Sequence, residues 1–341
     1  MSTIIFTADD YGCHTDIDNG IIMAVESGWI NSVAMFGNGP DLANSATRIK
    51  QYQDKGKIEI GCHLTITSGS PVSEQMKKCL VFVKDGHFRN YMFLKRDGTS
   101  DADQRDEIKQ ILKAELVAQI KSLTDNGIVV RHLSHHHNAL CSFPEYMEAL
   151  FEVATEMNAS KETQEHVRVR SANLLPKVKN LLLPVVLSIP SNFSMDTIDR
   201  KTRTVLAWTI NHWVDFYNEK HSDAPRTPKC LDAFHYGPLG IRSPGESTSK
   251  RLAKKKSKEI SNRVKEYIDD DISVEIVFHL IELPPGLDWE ANEDSYTAKY
   301  SGVATNYFDS RQIEFESLKL TFGKNKEERK FELEMGAWKN I

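Results

Sequence analysis

Short apolar runs that each lead into an ionisable residue recur through this 341-residue chain, and they constrain its fold more than any other feature. Ile4-Ile5-Phe6 leads into Asp9-Asp10-Tyr11-Gly12. Ile58, Ile60 and Cys62 lead into His63. Ile128-Val129-Val130 runs into His132-Leu133-Ser134-His135-His136-His137-Asn138, and Ser273–Phe278 ends in His279. Apolar runs of this length read as strands buried on both faces, the habit of parallel sheets. Helical periods lie between them. They cover Asp18–Glu26, Leu42–Tyr52, Ala102–Asn126, Pro144–Met157 and Asp309–Leu320, the clearest being Ile108, Ile111, Leu112, Leu116 and Ile120 ahead of Gly127. This alternation predicts an α/β fold with a largely parallel sheet. With no internal repeat and no linker, one elaborated (β/α) barrel spanning 1–341 is expected rather than two domains. Residues 69–100, punctuated by Pro71, Gly86 and Gly98, read as an insertion or lid. A strand is expected over Val167–Arg170 and a short helix over Ile260–Tyr267. The basic cluster Arg251–Lys258 reads as a solvated helix start or surface loop.

In a barrel the carboxyl ends of the strands meet on one face, whatever their separation in sequence. Asp9 and Asp10, His63, the His135–His137 run and His279 are thereby expected to converge. Carboxylate plus imidazole makes a suitable shell for Zn²⁺, Fe²⁺ or Mn²⁺ and, less typically, Mg²⁺. Successive strand residues point to opposite faces, so Asp9 and Asp10 cannot share a cavity on a regular strand. The chain must turn there, and Gly12 is suited to it. The same rule excludes three consecutive histidines as ligands of one ion.

Composition removes several alternatives. A formal net charge of -5 gives no basic field for nucleic acid. Five cysteines without C-x-x-C spacing suit reduced thiols and a cytoplasmic setting. No apolar run reaches the roughly 18 residues of a membrane span, and the N-terminus lacks the pattern of a secretory signal.

At several points in order the chain resembles the YdjC-like (ChbG-type) carbohydrate deacetylases. Asp9-Asp10-Tyr11-Gly12 is similar to that family's Asp-Asp-aromatic-Gly opening, and Ile60-Gly61-Cys62-His63-Leu64-Thr65 to its Gly-x-His-Leu segment. Glu115, Leu116, Gln119 and Ile120 resemble its Glu-Leu-x-x-Gln-Ile helix. His132 to Asn138 resembles its His-x-Asp-Ser-His-x-His segment, and Asp232-Ala233-Phe234-His235-Tyr236-Gly237 its Asp-x-Phe-x-Gly loop. Glu275 with His279, and Arg311 with Glu314, resemble its last two motifs. The chain departs at Ser134, where the family has Asp, at His135, where it has Ser, and at Asn138, where it has His. Leu280-Ile281 replaces a Pro-Gly.

The resemblance implies a distorted TIM-like barrel, commonly a homodimer. It implies one divalent ion, Mg²⁺ or Zn²⁺, on Asp10, His63 and His136, the last preferred over His137 by ungapped alignment. Asp9 would be the general base and His279 the acid. The implied reaction is hydrolysis of an N-acetyl group on an amino sugar or oligosaccharide, with acetate as a product. Arg170, Trp208 and Phe234 are weaker candidates for touching the sugar, with Trp213 a further aromatic of that kind. Arg170 could instead pair with a surface carboxylate. The rival readings are another metal-dependent amidase or phosphoesterase, and a carbohydrate-binding protein that has kept the fold without turnover.

Overall fold

The computed structural model describes residues 3–89, 102–141, 143–159, 165–170, 230–232, 246–269, 273–282 and 307–323. Nine strands and seven α-helices are assigned among them, with a 3-10 helix over His136–Cys141. In chain order they are β1 (Ile4–Tyr11), α1 (Thr15–Glu26), β2 (Ser32–Met35), α2 (Leu42–Asp54), β3 (Glu59–Leu64), α3 (Glu74–Lys77), β4 (Val83–Lys84) and β5 (His87–Phe88). Then come α4 (Ala102–Asp125), β6 (Val130–His135), α5 (Pro144–Asn158), β7 (Arg168–Val169), β8 (Cys230–Asp232), α6 (Glu246–Asp269), β9 (Val274–His279) and α7 (Tyr307–Phe322).

Seven strands form one sheet in the order β7-β6-β3-β2-β1-β9-β8, and every neighbouring pair is parallel. Parallel strands need crossover connections, and the sheet is buried accordingly. No pairing joins β7 to β8 among the described residues, so the sheet is a distorted, open form of the expected (β/α) barrel. Because all seven strands run the same way, Asp9, Asp10, His63, His135 and His279 stand at one edge. Register fixes this closely: Asp9 lies opposite His279, and His63 opposite Ser134.

Several boundaries differ from the sequence reading, each for a local reason. Helix α1 begins at Thr15, ahead of its apolar period, because the His14 side chain accepts the Asp16 N–H and caps it. Strand β6 begins at Val130 rather than Ile128. Val129 is half exposed, and the Gln53 side chain of α2 takes both its backbone N–H, at 3.0 Å, and its carbonyl, at 2.8 Å. The largest difference is α6. The basic cluster Arg251–Lys258 is not a loop but lies in the first half of a 24-residue helix that starts at Glu246. Ala253, Lys256, Ile260, Val264 and Tyr267 form its buried face. Lys256 interrupts the apolar pattern, yet it is 1% exposed and its Nζ donates to Glu314 Oε1 at 2.9 Å.

Through residue 89 the segment read as an insertion packs onto the body. Met76, Phe82, Val83 and Phe88 are buried in the main core. Glu115 of α4 accepts the N–H groups of Val72, at 2.9 Å, and Ser73, at 2.8 Å, as well as the Gln119 amide. Gln119 in turn takes both the N–H and the carbonyl of Thr65, just beyond β3. One helical face, at i and i+4, thereby fixes the loop that leaves the site. Residues 90–100 lie outside the described residues.

Candidate metal centre

The turn demanded by two adjacent aspartates falls at Asp10 itself, not at Gly12 alone. Asp10 has φ +70, in the left-handed region, and the β1–β2 register shifts between Ala8 and Tyr11. Asp tolerates this conformation better than most residues. The kink brings both carboxylates toward the His63 ring, with Asp9 Oδ2 3.9 Å and Asp10 Oδ1 3.1 Å from His63 Nε2. Asp18 supports the bend from outside. Its Oδ1 accepts the Gly12 N–H at 2.6 Å, and its Oδ2 accepts the Ser45 hydroxyl at 2.7 Å.

Burial pushes the Asp18 carboxyl up to about 6, against the opposing effect of those two hydrogen bonds. A folded-state value above the unfolded value near 3.9 favours the fold at low pH. That contribution is full below about pH 4 and is lost as pH rises through about 6. Asp18→Asn keeps an acceptor for Gly12 without the charge. The variant is therefore expected to gain up to about 3 kcal/mol relative to the parent between pH 4 and pH 6.5. Urea denaturation of both proteins across that range checks it. A stability difference that does not vary with pH would show that Asp18 does not titrate there.

Asp10, His63 and His136 form one buried cluster whose donor atoms all lie within 4.8 Å of one another. Asp10 Oδ1 is 3.1 Å from His63 Nε2 and 3.0 Å from His136 Nδ1, and the two nitrogens are 3.3 Å apart. Donors about 2.1 Å from a shared ion, at octahedral to tetrahedral angles, lie about 3.0–3.4 Å from one another. The triangle therefore has the size an ion requires. Its protonation suits an ion too. Burial would raise Asp10, but His136 and Arg311 outweigh it and hold the carboxyl well below the usual range. Burial also lowers His136, against the pull of Asp10, which favours the neutral ring that a ligand needs.

The surroundings hold these donors in place. Arg311 of α7 donates from Nη2 to Asp10 Oδ2, leaving Oδ1 toward the imidazoles. Ser134 Oγ lies 2.8 Å from His63 Nδ1. In the tautomer that donates to Ser134, His63 Nε2 turns its lone pair toward the cluster. Ser134 thus keeps an orienting partner where the family motif has a carboxylate. Phe36 packs edge-on against both ligand rings, at 5.1 and 5.0 Å between centroids. Ser134→Ala is expected to weaken metal affinity by about 10–100-fold with little loss of fold, because the ring loses its orienting partner. Chelator competition would measure this, and an unchanged affinity would reduce Ser134 to packing.

Asp9 has a different environment. Both its oxygens are taken by Arg170, Oδ2 by Nη1 and Oδ1 by Nη2, each at 2.7 Å. The other edge of the guanidinium faces Glu275, with Nε 3.0 Å and Nη2 2.7 Å from Oε1. Burial would raise Asp9, but Arg170 and then His63 outweigh it, so its carboxyl is lowered. Arg170 is thus buried between two internal carboxylates, where the sequence suggested a sugar contact or a surface pair.

The remaining candidates fall in three places. His279 is half-buried beside Asp9 in register, and its N–H donates to Glu314 Oε2 at 2.6 Å. His137 stands outside the cluster. It has φ +57, its ring lies 3.7 Å from that of His136, and its Nδ1 is 3.1 Å from Thr67 Oγ1. His132 and His135 are buried and both lowered, His135 to about 3, by burial and then by Arg170 and His63. A Cβ on Gly61 would stand 2.3 Å from the His132 ring, so glycine is required beneath it. Trp208, Trp213 and Phe234 lie outside the described residues. Sequence reasoning placed Arg311, Glu314 and Glu275 in family motifs without giving them a role, and marked Ser134 as a departure bearing on the metal site. The i, i+3 spacing of Arg311 and Glu314 on one helix face was the available signal.

A family model described as YdjC-like protein matches residues 3–319. This chain belongs to that family. Among relatives of the YdjC-like chain are carbohydrate deacetylases of Listeria monocytogenes serotype 4b (strain F2365), 34% identical over 138 residues, and of Thermoanaerobacter pseudethanolicus, 28% identical over 159. The first match covers 40% of this chain and 51% of that protein, the second 46% and 59%. The chain spans about half the length of the curated relatives it matches. In fold it is similar to a crystal structure of a candidate cellobiose-phosphate cleavage protein from Enterococcus faecalis V583. The TM-score is 0.54 at 15% identity, over 94% of this chain and 95% of that one. No helix among the described residues is long and apolar enough to cross a membrane.

Proposed function

We propose that this YdjC-like chain is a metal-dependent carbohydrate deacetylase that hydrolyses the N-acetyl group of an amino sugar or oligosaccharide. The observation that carries the reading is the Asp10–His63–His136 triangle with a second carboxylate, Asp9, held beside it by other partners. The names of its relatives point the same way. The described residues hold one such cluster, which favours amide hydrolysis over two-metal phosphoester chemistry. The seven-stranded sheet also supports one domain across 1–341.

Asp10 Oδ1, His63 Nε2 and His136 Nδ1 would hold the ion, and two imidazole nitrogens favour Zn²⁺ over Mg²⁺. A divalent ion there supplies Lewis-acid polarisation of the acetyl oxygen and makes water more acidic. Asp9 would accept the proton of the attacking water. Arg170 keeps Asp9 ionised before that step and hydrogen-bonded throughout. Water oxygen bonds to the carbonyl carbon, the C–N bond breaks, and His279 would give the leaving nitrogen its proton. The products are acetate and a free amine. Phe36 keeps water from the ligand rings.

Acetate release from a panel of N-acetylated mono- and oligosaccharides tests the reading, run metal-free and with Zn²⁺, Mn²⁺, Mg²⁺ or Co²⁺. Turnover is expected with metal alone. Asp9→Asn is expected to keep the ion and lose turnover, and His279→Ala to lower kcat/KM by about 10²–10⁴ with fold and metal intact. Metal-loaded protein that releases acetate from no member of the panel would sink the proposal.

A further inference from the structure

The two adjacent aspartates both approach His63 Nε2, yet their roles differ. Asp9 Oδ2 lies 3.9 Å from His63 Nε2, and Asp10 Oδ1 lies 3.1 Å from the same atom. A side-chain rotation that closed this gap would make Asp9 a ligand, since a carboxylate oxygen bonds such an ion at about 2.0–2.2 Å. Charge alone would draw it in. Arg170 opposes this with a fork that occupies both Asp9 oxygens at 2.7 Å.

The fork has its own anchor. Glu275 takes the Nε–Nη2 edge of the guanidinium, next to the edge that Asp9 occupies. Glu275 and Asp9 come from neighbouring strands, β9 and β1, with Ile5 opposite Glu275 and His279 opposite Asp9. Arg170 follows β7, and its N–H bonds the Leu133 carbonyl on β6. Arginine bridges these elements because its planar group offers two bidentate edges, whereas a lysine ammonium cannot hold both oxygens of each carboxylate in plane.

From this geometry we infer that Arg170, anchored by Glu275, is a positioning residue that holds Asp9 out of the metal's ligand shell and so keeps a free carboxylate beside it. The inference rests on the proposed metal site but needs no assumption about the sugar. If the fork is lost, Asp9 becomes a fourth protein ligand. The ion is then held more tightly and turnover falls. A residue that merely stabilised the fold would lower both.

The test is Arg170→Lys, which keeps the charge without the fork, studied with Co²⁺ and Zn²⁺ by calorimetry and by the Co²⁺ visible spectrum, beside circular dichroism. Co²⁺ affinity is expected to rise about tenfold, with a weaker visible band as coordination number increases. The double variant Arg170→Lys with Asp9→Asn should return affinity and spectrum to those of the parent. Glu275→Gln leaves the Arg170 charge in place but weakens its anchor. It should shift both readouts the same way by less, and it decides the matter if Arg170→Lys does not fold. Unchanged or weakened affinity with an unchanged spectrum in the folded variant would overturn the inference. A tightened site in a protein that releases no acetate would uphold the inference while the deacetylase reading fails.

Discussion

Asp10→Ala is expected to lose the bound ion, all measurable turnover and a large part of the protein's stability together. The first two losses follow from the removal of one of three donors. The third follows from Arg311, which is 2% exposed and directs Nη2 at Asp10 Oδ2. Without Asp10 the buried guanidinium loses the carboxylate to which its Nη2 donates. Breaking a buried pair by removing one partner costs about 3–5 kcal/mol. His63→Ala is the control, because it removes a donor and leaves no charge stranded. Metal analysis and urea denaturation of both variants, made metal-free, separate the effects. Equal stability of the two metal-free variants would mean that Arg311 finds another partner.

Arg170→Met is expected to be as damaging by the opposite route. It leaves Asp9 and Glu275 buried without their shared cation, a loss of about 3–5 kcal/mol near neutral pH. The deficit should depend on pH with a definite sign. Glu275 is already raised, by burial, even with Arg170 present. With the guanidinium gone, both folded-state values stand above their unfolded values near 4, so protonation favours the folded form. The variant should regain stability as pH falls from about 7 toward 4. Denaturation at pH 7.5 and pH 5 checks this, and a deficit that grew on acidification would place the damage elsewhere.

The parts of this architecture that the sequence revealed are those that local pattern encodes. Strands β1, β3 and β9 were legible because each is a buried apolar run, and their shared direction then brings Asp9, Asp10, His63 and His279 to one edge. The resemblance marked Asp10 as the aspartate that joins His63 and His136, but which of its oxygens faces the imidazoles was not legible, because it depends on the left-handed backbone at Asp10. Arg170 was misread because its partners lie 161 and 105 residues away. Helix α6 was cut short because Lys256 looks like a surface residue until its partner Glu314 is seen, 58 residues on. The stretch through residue 89 looked aperiodic because its order comes from Glu115 and its own buried aromatics rather than from an amphipathic period.

The pairing of Asp10 with Arg311 spans 301 residues. A chain made N-terminus first at about 5–20 residues per second exposes Asp10 roughly 15–60 s before Arg311 exists. All three metal donors emerge in the first 136 residues, whereas the cations that neutralise Asp9 and Asp10 arrive at 170 and 311. Asp9 is without its counter-charge until Arg170 has been made, and Asp10 until Arg311 has. The three donors are brought within reach of one ion only by the fold, so an ion of this kind binds the finished site and not the nascent chain. An ion that binds only the completed site adds its binding free energy to folding, so expression with and without added Zn²⁺ is expected to differ in soluble yield as well as in occupancy.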